Sequence, residues 1–88
     1  MAWTVELSKT AARQFSKLDN SVKIRIKDFI LKLSAMDNPR HNGLTMQGRH
    51  ADYYRYRVGD YRLICRIGDN GMLITLVKLG YRKEVYKN

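Results

Sequence analysis

Apolar and polar residues alternate from the start of the chain. Trp3, Val5 and Leu7 stand against Thr4 and Glu6, which predicts a short opening strand over residues 3–7. Ser8 follows, a residue whose hydroxyl accepts from the free N–H groups of a first helical turn. Ala11, Phe15 and Leu18 then recur at helical spacing, predicting a helix to about Leu18. Asp19-Asn20-Ser21 interrupts the pattern, and either Asn20 or Ser21 can cap what comes next. From about Val22 to Met36, the residues Val22, Ile26, Phe29, Ile30, Leu33 and Met36 keep the i, i+3/i+4, i+7 spacing of a single apolar stripe. At about 100° per residue, Ile24, Leu31 and Ala35 fall nearly opposite that stripe; they either pack on the first helix or are left for a partner. Asp37-Asn38-Pro39 ends the helix, because proline disfavours helical geometry in the residue before it. A polar stretch runs on to His50, with Leu44 and Met46 as its expected anchors.

The remaining sequence has the rhythm of strands. Val58-Gly59-Asp60-Tyr61 reads as a hairpin with a two-residue turn, glycine supplying the positive φ. Gly68-Asp69-Asn70-Gly71 marks a second turn before the apolar run Met72 to Leu79, which Gly80 should close, leaving 81–88 as a tail. The element order is β-α-α-β-β-β. It predicts one α+β domain over residues 1–88, with two N-terminal helices packed on a small antiparallel sheet.

The hairpin fixes which side chains share a surface. If Gly59 and Asp60 form the loop, Val58 pairs with Tyr61, Arg57 with Arg62, Tyr56 with Leu63, Arg55 with Ile64 and Tyr54 with Cys65. Tyr54, Tyr56, Val58, Tyr61, Leu63, Cys65 and Ile67 then face one way, as a core under the helices. Arg55, Arg57, Arg62 and Arg66 face the other way, with Ile64 among them. Continued without interruption, the same alternation sets Leu73, Val77 and Leu79 on the arginine face. Like charges directly opposite each other destabilise a sheet, so Arg57 against Arg62 calls for an anion between them. Few acids lie nearby to supply it: Asp52, Asp60, Asp69 and Glu84.

Charge strengthens this picture. The 88 residues carry 17 Lys+Arg against 8 Asp+Glu, a formal net charge of +9, for which a polyanion such as nucleic acid is the leading partner. An anionic membrane surface, an acidic protein or a merely soluble basic surface fits the same number. Arginine suits a phosphate because its planar fork donates two parallel hydrogen bonds and keeps its charge. Tyr53, Tyr81 and Tyr86 offer stacking surfaces for unpaired bases. Other chemistries lack their parts. His41 and His50 have no companions for a metal site, so no metal or other cofactor is expected, and Cys65 belongs to the core face. One cysteine, no apolar run of membrane-spanning length and no signal-peptide pattern predict a cytoplasmic protein.

Three segments carry a resemblance to a known family: Leu44-Thr45-Met46-Gln47-Gly48; Asp52-Tyr53-Tyr54-Arg55-Tyr56-Arg57-Val58-Gly59-Asp60-Tyr61-Arg62-Leu63-Ile64; and Val77-Lys78-Leu79-Gly80-Tyr81-Arg82-Lys83-Glu84-Val85-Tyr86. Together they resemble the RelE branch of the RelE/ParE toxin superfamily, over essentially the whole chain. The resemblance implies a RelE-like fold and a metal-independent endoribonuclease that enters the ribosomal A site and cuts mRNA through its 2′-hydroxyl. It implies a RelB-like antitoxin as partner, with operator DNA bound only through the toxin–antitoxin complex. On the family pattern Arg55, Arg57, Arg62, Arg82 and Tyr86 are the catalytic set; Tyr53, Arg66, Tyr81 and Lys83 are the expected RNA contacts beside them. Ile24, Leu31 and Ala35 are the expected antitoxin contacts. Many relatives carry histidine where this chain has Tyr81, which removes one general acid or base. Two rival functions keep the same fold: a ParE-like toxin that poisons DNA gyrase, and a basic RNA-binding module without catalysis.

Overall fold

The computed structural model describes residues 3–45, 53–68 and 71–81. Strand β1 (Thr4–Leu7) leads into helices α1 (Lys9–Ser16) and α2 (Asn20–Ala35). A 3₁₀ turn at Pro39–Asn42 and the two-residue strand β2 (Leu44–Thr45) follow, then β3 (Tyr53–Val58), β4 (Tyr61–Gly68) and β5 (Leu73–Tyr81). The expected two helices on a sheet are present. The sheet has five strands in the order β1-β5-β4-β3-β2. It is mixed: a meander of antiparallel neighbours from β2 returns the chain beside β1, and β5 pairs with β1 in parallel.

Local chemistry sets the helix ends. Ser8 caps α1 as its sequence position suggested, its Oγ accepting from the Ala11 N–H at 3.0 Å. For α2 the cap position falls on Asp19, which makes no side-chain capping bond, so neither Asn20 nor Ser21 fills that role. The predicted stripe is the packed one. Ile26 and Leu33 are fully buried, with Val22, Phe29, Ile30 and Met36 against the same cluster. Ile24 and Leu31 remain 67% and 68% exposed, and Ala35 is exposed as well, so the second face does not pack on α1.

The core lies between the helices and one face of the sheet, where Tyr56, Leu63, Cys65, Ile67, Ile74, Leu76 and Leu79 meet Ala11, Ile26 and Leu33. Burying apolar surface of this kind contributes roughly 25 cal/mol per Å². Polar tips within it are mostly satisfied. The Tyr56 hydroxyl donates to the Pro39 carbonyl at 2.6 Å, tying the 3₁₀ turn to the sheet. Burial, with smaller contributions from Cys65 and Tyr54, pushes that hydroxyl well above its ordinary pKa. Gly43 lets the connection pass close: a Cβ there would lie 2.8 Å from the Tyr56 ring. The expected anchor Leu44 is 61% exposed; Met46 lies outside the described residues.

One irregularity matters for everything downstream. Between β4 and β5, Ile64 pairs with Lys78 but Cys65 pairs with Leu76, so Val77 is an extra residue, a β-bulge. Backbone groups freed around it are taken up from α1. The Ser8 hydroxyl donates to the Val77 carbonyl at 2.6 Å, and the Leu79 N–H donates to Gln14 Oε1 at 2.8 Å. Beyond the bulge the alternation of β5 is inverted. Leu79, which uninterrupted alternation put among the arginines, is fully buried under the helices. The strand also continues through Gly80 to Tyr81 instead of stopping at the glycine.

Candidate nucleic-acid interface on the arginine face

Each residue pair predicted for the first hairpin is the pair observed, from Val58–Tyr61 to Tyr54–Cys65, and Tyr53–Arg66 extends it. Gly59 takes the left-handed conformation at φ 59° that the tight turn requires. Arg57 therefore stands directly opposite Arg62, with Arg55 and Arg66 on the same face one pair and two pairs further along. Tyr53 is the cross-strand neighbour of Arg66, so one aromatic ring does accompany the guanidinium groups. The helices occupy the opposite side of the sheet.

Among the described residues, no carboxylate reaches ion-pair distance of Arg57, Arg62 or Arg66 on this face. The ion pair found among the described residues, Lys32–Asp28 at 3.1 Å, lies on α2. Arg62 Nη1 makes only long contacts to the Gly59 and Tyr61 carbonyls, at 3.4 and 3.3 Å, which draw it back over the turn. Arg57 and Arg66 are exposed, and no described carboxylate meets them. Ile64 sits among the cations yet is 9% exposed, flanked by its cross-strand partners Arg55 and Lys78, whose aliphatic stems can cover it. Beyond Arg62 on β5 stands Gly80, so no side chain crowds the guanidinium from that strand. Such an array can grip a phosphate with several forked donors at once.

Other candidates are placed differently. Tyr81 lies on the helix side, a consequence of the bulge. Its ring meets Tyr61 edge-on at 5.5 Å, and both line a depression with Gln14 and Lys17 of α1. It does not share the arginine face. Arg82, Lys83, Tyr86 and His50 lie outside the described residues. His41 is exposed, and no group of metal-ligating side chains occurs among the described residues. Cys65 is buried, and desolvation pushes its thiol up to about 12, so it stays protonated and inert at neutral pH. On the far side of the helices, Leu31, Ile30, Phe15 and Leu7 frame an apolar groove of about 280 Å³ between α1, α2 and β1. No helix among the described residues is long and apolar enough to cross a membrane.

Sequence reasoning missed Gln14 and Arg25. Nothing local announces Gln14, whose role exists only because β5 bulges. Arg25 lies beside the hairpin turn, where a Cβ on Gly59 would come within 2.9 Å of its Nη2.

Comparison with known proteins agrees with this architecture. The family model of the ParE toxin of type II toxin–antitoxin systems, parDE, matches residues 5–86. The chain belongs to that family. Toxin RelG of Mycobacterium tuberculosis is 25% identical to it over 87 residues, 99% of each chain. Among solved structures, the toxin–antitoxin complex RelBE2 of M. tuberculosis contains a chain that is 26% identical, with a TM-score of 0.82 over 93% of both chains. The archaeal RelE–RelB complex of Pyrococcus horikoshii contains one 27% identical, with a TM-score of 0.76 over 93% of this toxin and 97% of that chain. These likenesses mark the toxin as RelE-type within the RelE/ParE superfamily.

Proposed function

We propose that this toxin is an mRNA endonuclease acting in the ribosomal A site, and that the arginine face holds the scissile phosphodiester. The observation that carries the reading is Arg57 facing Arg62 across the hairpin with no described carboxylate at ion-pair distance from either. Two guanidinium groups at adjacent positions repel until an anion lies between them.

In the reaction, the 2′-oxygen forms a bond to the neighbouring phosphorus while the bond from phosphorus to the 5′-oxygen breaks. The products are a 2′,3′-cyclic phosphate and a 5′-hydroxyl. The 2′-proton must leave and the departing 5′-oxygen must gain one. Arg55, Arg57 and Arg62 stabilise the added negative charge of the pentavalent transition state. Arginine holds its proton too tightly to act as the base. On the family pattern that role goes to Tyr86, and Arg82 neutralises the leaving oxygen or donates a proton to it. Tyr53 and Arg66 hold the neighbouring nucleotide by stacking and charge, and Lys83 adds to the RNA contacts. The protein acts in the cytoplasm. A RelB-like antitoxin silences it by covering Ile24, Leu31 and Ala35 along the exposed side of α2, and the joint complex binds operator DNA.

Arg62→Ala is the decisive variant. It should fold normally and lose mRNA cleavage in a translation extract by about 10²–10³-fold, the cost typical of removing one transition-state donor. Cleavage at the unmodified rate would remove the arginine face from the chemistry. The name of the matching family favours one rival, a gyrase poison. Gyrase-linked DNA breaks without new 5′-hydroxyl RNA ends would decide for it, and stable RNA binding with neither product would leave a non-catalytic module.

A further inference from the structure

The tip of the β3–β4 hairpin carries a second concentration of positive charge, on the side facing α2. A cleft of about 290 Å³ opens there, with Phe29 and Val58 beneath and Arg25, Lys32 and Arg57 around it. Its geometry is set by Gly59. A Cβ at that position would lie 2.9, 3.2 and 3.3 Å from Nη2, Nη1 and Cζ of Arg25, so the terminal nitrogens of its guanidinium lie beside the turn. The N–H donors of a guanidinium lie in its plane, along its edges. Among the described residues, no carbonyl or carboxylate receives them. Among the described residues the acid lining the cleft is Asp28, which pairs with Lys32 at 3.1 Å, and none reaches ion-pair distance of Arg25 or Arg57.

Arg57 lines this cleft and stands on the arginine face, so cations flank the hairpin tip on both sides. We propose that the Arg25 cleft binds a second phosphodiester of the RNA, away from the scissile one, and so guides the strand over the turn. The proposal rests on the RNA-binding reading above and adds to it a site on α2. An acidic protein segment is a less natural occupant, because the cleft opens onto a surface where unpaired cations continue from Arg57 to Arg62 and Arg66, as a polymer with a charge on every unit would require.

The test is a binding titration of the full chain with a short single-stranded RNA carrying 2′-O-methyl groups, which cannot be cut, at a series of KCl concentrations. Arg25→Gln should weaken binding several-fold and lower the magnitude of the log–log salt slope by about 0.7, the value for one phosphate contact on a single strand. Arg25→Lys, which keeps the charge, should keep the slope. Asp28→Asn, which releases Lys32, should tighten binding and steepen the slope. Arg66→Gln serves as the reference on the arginine face. If Arg66→Gln lowers the slope and Arg25→Gln does not, the cleft proposal is overturned while RNA binding stands. If the unmodified protein has no measurable affinity, the RNA reading falls with it. If Arg25→Gln weakens only an acidic peptide and not the RNA, the cleft is a protein site and the proposal is wrong.

Discussion

The two faces of the sheet are built from the same strands, yet they differ in nearly every physical respect. On the helix side, Leu63, Ile74 and Leu79 are fully buried and the polar tips of Tyr56, Ser8 and Gln14 are tied to backbone groups. On the other side, Arg57 opposes Arg62 and no described carboxylate reaches ion-pair distance of either. One face lowers the free energy of folding. On the other, the like charges of Arg57 and Arg62 at paired positions oppose folding, as the proposed phosphate-binding role would require.

The sharpest way to break this contrast is to substitute adjacent residues of β4. Leu63→Ala should cost about 2–5 kcal/mol by opening a cavity under the helices. Arg62→Ala, one residue earlier, should stay within about 0.5 kcal/mol of the unmodified protein. Urea unfolding of the two variants measures both. A cost below 1 kcal/mol at Leu63, or equal costs at the two positions, would mean that the faces are not thermodynamically distinct.

A smaller effect separates the two sides of the molecule by function. Leu31 lies at the outer apolar groove, remote from the arginines, and is 68% exposed. Leu31→Glu should weaken antitoxin binding at least tenfold, about 1.4 kcal/mol, while leaving RNA cleavage unchanged. Isothermal titration with the antitoxin and a cleavage assay read the two properties independently. Unaltered antitoxin affinity would move the docking surface away from α2.

How much of this was legible beforehand depends on whether the determining contact is local. The α2 stripe, the Ser8 cap and the hairpin register follow from spacing and from Gly59, and these alone place Arg55, Arg57, Arg62 and Arg66 on one surface. The fate of β5 was not legible. Leu73, Ile74, Leu76, Val77 and Leu79 are apolar at both parities, so the run gives no sign of which residues face inward. The bulge at Val77 is stabilised by Ser8 and Gln14, more than sixty positions away in the chain. Its consequence reaches the site, because it removes Tyr81 from the arginine face and sets Gly80 beside Arg62. The parallel pairing of β1 with β5 is equally non-local, joining the two ends of the chain.

The smallest predicted effect bears most directly on why the arginine face exists. Arg57 is exposed and makes no hydrogen bond to a described residue, whereas Arg62 touches two carbonyls, so Arg57 is the cleaner probe of repulsion. Arg57→Gln removes one of two like charges held at paired positions, and should stabilise the free protein by about 0.2–1 kcal/mol at low ionic strength. The gain should shrink at 1 M salt, where the screening length falls to about 3 Å. Inorganic phosphate should reverse the order, since an anion seated between Arg57 and Arg62 binds the folded state and stabilises it in proportion to occupancy. Thermal unfolding of both proteins at low salt, at high salt and with phosphate gives the complete cycle. A loss of stability in Arg57→Gln at low salt would show that these guanidinium groups are already satisfied within the fold, and a surface satisfied in that way has no vacancy for a phosphodiester.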